Sequence, residues 1–204
     1  MKLYYYPLST YSQKVLIALY EKQVELTPIV LYPGDPSDRA KLAELTPIGK
    51  VPLLVLDSGW KLPESTTIIE YLDTHAGGPR LIPEDRDLAR QTRFHDRLAD
   101  LYINESLRTI VRESDAQDRV AKARERLDAL YAGLDNHLAS RAWVMGDTFT
   151  LADCALIPPL AVHGGAHPLA RFKNVAAYFE RALQRPSVVR VRREQEAFAA
   201  RAAS

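Results

Sequence analysis

The stretch Pro7-Leu8-Ser9-Thr10-Tyr11-Ser12-Gln13-Lys14-Val15 carries the residue types best suited to chemistry in this sequence. An aromatic run stops there at a proline, and a helical pattern starts behind several hydroxyls. A polar loop that empties into a helix N-terminus aims backbone N–H groups outward, which favours a bound anion or thiolate. Ser9, Thr10 and Ser12 are equally good as plain N-caps, which satisfy the same donors with no function implied. Two further groups stand out, Gly49-Lys50-Val51-Pro52 and Glu64-Ser65. The only cysteine is Cys154. Internal disulfides and Cys-x-x-Cys redox or zinc pairs are therefore excluded, as is any mechanism needing a protein thiol at the opening stretch. His95, His163 and His167 lack metal-ligand spacing, so no metal is assigned.

These residues must be positioned by elements that the hydrophobic pattern makes legible. Residues 2–6 have aromatic strand chemistry, and Val15, Leu16, Ala18, Leu19 and Tyr20 repeat at helical spacing behind Ser9. Glu25 to Leu31 reads as a second strand, which makes a βαβ unit with parallel pairing. Tyr32-Pro33-Gly34-Asp35-Pro36 is loop by composition, and Arg39 to Leu45 is a short helix. Leu53 to Leu56, the turn Asp57-Ser58-Gly59 and Trp60 to Leu62 form a hairpin, followed by a helix from Glu64 to Thr74. The order β-α-β-α-β-β-α is thioredoxin-like, with a mixed four-stranded sheet.

Gly77-Gly78-Pro79 and Pro83 break that pattern, and only helices follow. One is expected from about Asp87 to Glu113 and a longer one through Val120, Leu127 and Leu134, joined by a break at Ser114-Asp115. Thr150-Leu151-Ala152-Asp153 has capping-box spacing, so a buried helix begins there, and Pro158-Pro159 should kink or end it. Val175 to Ala182 and Val188 to Ala202 complete the set. The expected architecture is α/β followed by all-α: residues 1–78 as the thioredoxin-like domain, 79–86 as a linker and 87–204 as the helical domain.

Composition narrows the class further. The 204 residues are 47% hydrophobic and 26% charged, ordinary values for a soluble protein. Net charge is +1, with seven Lys/Arg against nine Asp/Glu up to Gly78 and twenty against seventeen beyond it. Neither part has the basic field of a nucleic-acid binder. Met1 to Tyr6 alternate and meet Pro7, unlike a signal peptide, and the apolar run Ala155-Leu156-Ile157 is cut by Pro158-Pro159 before it can span a membrane. A cytoplasmic location is the expectation.

Pro7–Val15, Gly49-Lys50-Val51-Pro52 and Glu64-Ser65 followed by Ile68-Ile69-Glu70-Tyr71-Leu72 together resemble the cytosolic glutathione S-transferase family, in its bacterial, serine-type form. Phe149-Thr150-Leu151-Ala152-Asp153 resembles the family's helix-capping motif in the second domain, and Arg185-Pro186-Ser187 suits its late helical segment. These pieces, in matching order, cover nearly the whole chain.

The resemblance implies glutathione as co-substrate. It implies a cis bond between Val51 and Pro52, so that the Val51 backbone pairs with the cysteine of glutathione; cis costs little only before proline. It implies that Ser65 and its helix N-terminus meet the γ-glutamyl carboxylate while Glu64 meets the ammonium. Lys50, and less directly Lys41, would face the glycine carboxylate. Ser9 matches the position of a hydroxyl held against the glutathione sulfur, with Ser12 as the alternative donor and Thr10 behind it. A free thiol has a pKa of about 8.5, and lowering it by two units takes roughly 2.7 kcal/mol of thiolate stabilisation. One charge-assisted hydrogen bond plus a helix N-terminus is of that size. Tyr4, Tyr5 and Tyr6 are also considered, because other classes use an N-terminal tyrosine; at least two of them should be core or sheet-face residues.

An apolar second substrate is expected between the domains, against Leu8 or Tyr11 and the helix carrying Leu98, Leu101, Tyr102 and Glu105. The leading activity is conjugation of glutathione to an apolar electrophile. The alternatives are a glutathione-dependent isomerase, peroxidase or disulfide reductase, and a non-enzymatic binding or regulatory module of the same fold. A homodimer is expected, with no nucleic-acid or membrane partner.

Overall fold

Lys2-Leu3-Tyr4-Tyr5 forms β1, the strand on which a four-stranded sheet of order β2-β1-β3-β4 is assembled in the computed structural model, which describes residues 1–202. The elements follow as α1 (Thr10–Lys22), β2 (Thr27–Val30), α2 (Pro36–Leu45), β3 (Leu53–Val55), β4 (Lys61–Pro63) and α3 (Ser65–His75). β1 pairs parallel with β2 and antiparallel with β3, and β3 pairs antiparallel with β4. This is the thioredoxin-like order expected from the hydrophobic pattern.

The register divides the sheet's side chains between two faces. Tyr4, opposite Ile29 and Leu53, shares a buried cluster with Leu31 and with Leu42 of α2. Leu3, Leu54 and Leu62 lie in register on the other face and are buried, and α3 packs against β3, β4 and α1. β2 is shorter than the expected Glu25–Leu31 and contains Pro28, which an edge strand tolerates because one of its sides needs no ladder donor.

α2 begins three residues earlier than its apolar pattern suggested. Asp35 caps it by accepting from the backbone N–H groups of Ser37 (2.7 Å) and Asp38 (3.3 Å), with Pro36 in the first turn. The cap lay hidden in a run whose composition reads as loop.

Beyond these come α4 (Arg86–Leu98), a π-helical segment (Ala99–Asn104), α5 (Glu105–Arg112), α6 (Gln117–Leu138), α7 (Leu151–His163), a short 3-10 turn (Gly164–Ala166), α8 (Lys173–Leu183) and α9 (Pro186–Ala202). The expected helix from Asp87 to Glu113 is thus one rod carrying a π stretch at its middle, a feature without a signal in the hydrophobic period. α7 does not end at Pro158-Pro159 but runs on to His163. Every residue from Leu151 to Leu160 is buried, so surrounding packing holds the helix where two backbone donors are missing.

Two compact units result, and their division differs from the sequence-based one. The first joins Met1–Arg80 with α9, and the second spans Leu81–Arg185. α9, expected in the helical domain, packs on α1, buries Val188 and Val191, and bonds back through Ser187 to Glu21. Within the expected linker, Leu81 is buried in the second unit, where its carbonyl accepts from the Leu151 N–H at 2.8 Å. Gly78 is required for a close approach: at φ 82°, a Cβ there would lie 2.7 Å from the Lys22 carbonyl oxygen. Lys22 is itself buried and binds Asp73 (3.2 Å) and the Pro79 carbonyl (3.0 Å), closing the end of α1 onto that of α3.

Candidate functional site

Three chain crossings meet at one end of the first unit's sheet, and the pairing register shows why. Tyr4, Leu53 and Pro63 lie in one row across β1, β3 and β4. β1 leaves this row toward Pro7 and Ser9, β3 enters it from Val51-Pro52, and β4 leaves it into Glu64-Ser65. Neighbouring strands are about 4.8 Å apart, so the three segments emerge within about 10 Å of sheet width.

Ser9 is the N-cap of α1, in extended conformation, and its Oγ accepts from the Ser12 N–H at 3.3 Å. A hydroxyl that caps with a lone pair keeps its hydrogen to donate, and that hydrogen has no acceptor among the described residues. Ser9 is half-buried, with one side open. Ser12 is fully buried instead, its Oγ accepting from the Tyr6 N–H at 3.2 Å, so it braces the loop from inside. Gln13 adds a second brace, donating from Nε2 to the Pro7 carbonyl at 2.8 Å. Leu8 and Tyr11 are half-buried beside Ser9 in the chain.

Tyr4 is in the core under the Lys41 ammonium, and Tyr5 is buried on the opposite face of β1. Tyr6 meets the Phe198 ring edge-on and the Tyr32 ring at a tilt.

The Val51–Pro52 bond is cis. Val51 is half-buried and Pro52 buried, while Lys50 and Lys41 are exposed, Lys50 following Gly49 at φ 58°.

Glu64 holds φ 72° and ψ 122°, a conformation that non-glycine residues rarely adopt and that costs of order 1–3 kcal/mol. Its side chain is exposed and makes no capping bond to α3, so simple capping does not account for it. Ser65, the first residue of α3, is buried.

A further residue at this end of the sheet has no motif to mark it. Lys14, on α1, is 1% exposed and donates from Nζ to Thr66 Oγ1 at 2.9 Å. An ammonium buried at the first turn of α3 adds to the positive end of that helix. The available signal was a lysine placed directly before the unbroken apolar run Val15 to Leu19.

In the second unit Tyr102 lies on the π segment and is 48% exposed. Asp153 realises the capping box: Oδ2 accepts from the Thr150 N–H (2.8 Å), and Oδ1 from the Val144 N–H (2.9 Å) and the Tyr178 hydroxyl (3.1 Å). Burial pushes its carboxyl up to about 6, against the pull of these donors. Burial and the neighbouring His137 push His95 down to about 4. No group of three or more His, Cys, Asp or Glu that could hold a metal occurs among the described residues. No helix among them is long and apolar enough to cross a membrane.

Comparison with known proteins bears on both units. The family description "Glutathione S-transferase, N-terminal domain" matches residues 3–80, and "Glutathione S-transferase, C-terminal domain" matches residues 98–186. A glutathione S-transferase of Pseudomonas putida is 30% identical over 158 residues, covering 75% of this chain and 70% of that protein. A stringent starvation protein A homolog of Coxiella burnetii is 32% identical over 190 residues, covering 92% and 88%. Among solved structures, a glutathione S-transferase of Methylobacillus flagellatus with GSH bound superposes with a TM-score of 0.84 at 25% identity, covering 93% of this chain and 98% of that one.

Proposed function

The chain belongs to the glutathione S-transferase family, and on that premise we propose that it binds glutathione as the thiolate and conjugates it to an apolar electrophile. The observation that carries this reading is the single row Tyr4–Leu53–Pro63, from which Ser9, Val51-Pro52 and Glu64-Ser65 all emerge. The known relative with bound GSH supports the ligand.

In this reading the Val51 backbone pairs with the cysteinyl unit of the tripeptide. The γ-glutamyl carboxylate sits at Ser65 and the α3 N-terminus, with Lys14 strengthening the positive potential there. Glu64 faces the ammonium, its uncapped exposed side chain being available for it. Lys50 meets the glycine carboxylate. Ser9 donates its hydrogen to the sulfur, and the α1 N-terminus adds its partial charge. The thiolate lone pair forms the new sulfur–carbon bond as the leaving group departs with its electron pair, or as a strained ring opens. No protein-bound covalent intermediate is needed, so rate derives from thiolate stabilisation and juxtaposition. Leu8 and Tyr11, half-buried beside Ser9 in the chain, are the proposed apolar contacts for the electrophile. A homodimer in the cytoplasm belongs to the same proposal, and a sedimentation mass of one subunit would contradict it.

Ser9→Ala tests the assignment. It should leave glutathione affinity within a few-fold while raising the pKa of the bound thiol by one to two units, read as thiolate absorbance against pH, in line with about 1.4–2.7 kcal/mol. An unchanged pKa removes Ser9 from the role. The relative named as a stringent starvation protein A homolog supports a second reading, a non-enzymatic module. Failure of the full chain to be retained on immobilised glutathione, with Ser65→Ala behaving like wild type, would favour it.

A further inference from the structure

The first unit contains a cleft of about 490 Å³ that shares no residue with the glutathione site proposed above. Its volume lies in the range of small-molecule sites. Leu16 and Leu19 of α1 form its buried floor, Leu26 and Pro28 contribute apolar wall, and Arg190 and Glu194 of α9 close one side.

The polar groups converge on Glu194. The Tyr20 hydroxyl reaches both carboxylate oxygens, at 2.7 and 2.8 Å, and Arg190 Nε donates to Oε1 at 3.2 Å. The Arg190 guanidinium also lies over the Tyr20 ring, 3.9 Å from its centre, so both its charge and its flat face are engaged. A carboxylate accepts about four hydrogen bonds, and two donors leave part of that capacity unused. Tyr5 lines the same cleft, is only 9% exposed, and its hydroxyl has no hydrogen-bond partner among the described residues. Burial and the Glu194 charge both hold that phenol protonated, its pKa raised above the ordinary value.

Unused acceptor capacity beside an unpartnered hydroxyl that opens on the cleft describes a site for a donor. The sign of the charge agrees: Glu25 and Glu194 face the cleft against Arg190 alone, and Arg190 is already bridged to Glu194. An anion would meet two carboxylates and displace an existing ion pair. We propose that this cleft binds a small amphipathic organic cation, a primary ammonium with an apolar body, whose N–H groups meet Glu194 and the Tyr5 oxygen while the body lies on Leu16, Leu19 and Leu26. A network of this kind, with α9 as one wall, couples occupancy of the cleft to the seating of α9 on α1.

The test uses 2-phenylethylammonium chloride at pH 7 with the full chain, followed by methyl resonances of Leu16, Leu19 and Leu26 and by calorimetry. The expected result is saturable binding that shifts those methyls, with neutral 2-phenylethanol weaker by at least about tenfold, the size of one charge-assisted hydrogen bond. Glu194→Gln should lose at least that factor. Tyr5→Phe should lose roughly threefold to tenfold with an unchanged melting temperature, because the hydroxyl has no internal bond to lose. That variant keeps the test decisive should Glu194→Gln loosen α9. Equal affinity for the amine and the alcohol, or Tyr5→Phe binding like wild type, would overturn the proposal. So would the absence of shifts at the three methyls.

Discussion

Two helix starts in this molecule use similar residues to opposite ends. At the start of α7, Thr150 and Asp153 close on each other, and the acid gathers donors from Thr150, Val144 and Tyr178 with the whole assembly buried. At the start of α3, Glu64 and Ser65 supply another acid and hydroxyl, yet the acid caps nothing, sits in a strained backbone conformation and faces solvent. The first consumes its hydrogen-bonding capacity internally and so contributes stability. The second leaves capacity over and carries strain, which is the arrangement expected where a ligand completes the bonding. An acid near a helix start thus has no single meaning; what matters is whether its partners are already present.

The comparison breaks most visibly at Asp153. Asp153→Ala strands buried donors from Val144, Thr150 and Tyr178, so urea denaturation should show a loss of about 3–5 kcal/mol. A loss below 1 kcal/mol would mean that the network is not closed as described. Ser65→Ala should behave in the opposite manner. Stability should stay within about 0.5 kcal/mol, while glutathione affinity measured by calorimetry drops roughly tenfold or more.

The acid of the pair carries a smaller and signed effect on stability. Glu64→Gly relieves the positive φ, so it should stabilise the chain by up to about 1 kcal/mol while weakening glutathione binding. Destabilisation with unchanged affinity would reverse the contrast drawn between the two helix starts.

A pH measurement sharpens the same contrast. With its folded pKa at about 6 against an ordinary 3.8, Asp153 takes up a proton in the folded chain before the unfolded one. Its contribution to stability therefore rises as pH falls through 6 and declines as pH rises. Between pH 7 and pH 5 wild type should gain about 1 kcal/mol relative to Asp153→Asn, which has no proton to take up. A gap that stays constant on acidification would show the carboxylate ionised throughout.

Legibility followed the range of the interactions. The Thr150–Asp153 box was readable because its members sit three residues apart, and α1 was readable from Val15, Leu16, Ala18 and Leu19 for the same reason. Ser9 and Ser12 were not separable in sequence, since both are hydroxyls near one helix start. Burial of Ser12 and its bond to the Tyr6 N–H distinguish them, and these depend on how the loop folds over. Lys14 is not legible in sequence because a lysine near a helix start usually faces water, whereas here α1 is enclosed and Thr66 of α3 accepts from it.

Local chemistry in the sequence determined the element order, the capping box and the candidate groups Ser9, Val51-Pro52 and Glu64-Ser65, because periodicity, capping and proline act over a few residues. Tertiary structure alone decided that α9 joins the first unit, that Pro158-Pro159 lie within a continuing helix, that Glu64 is strained and that Lys14 is buried at the start of α3. Each of these outcomes rests on contacts between residues distant in the chain. Their free energy depends on burial and partnership, which no local pattern encodes.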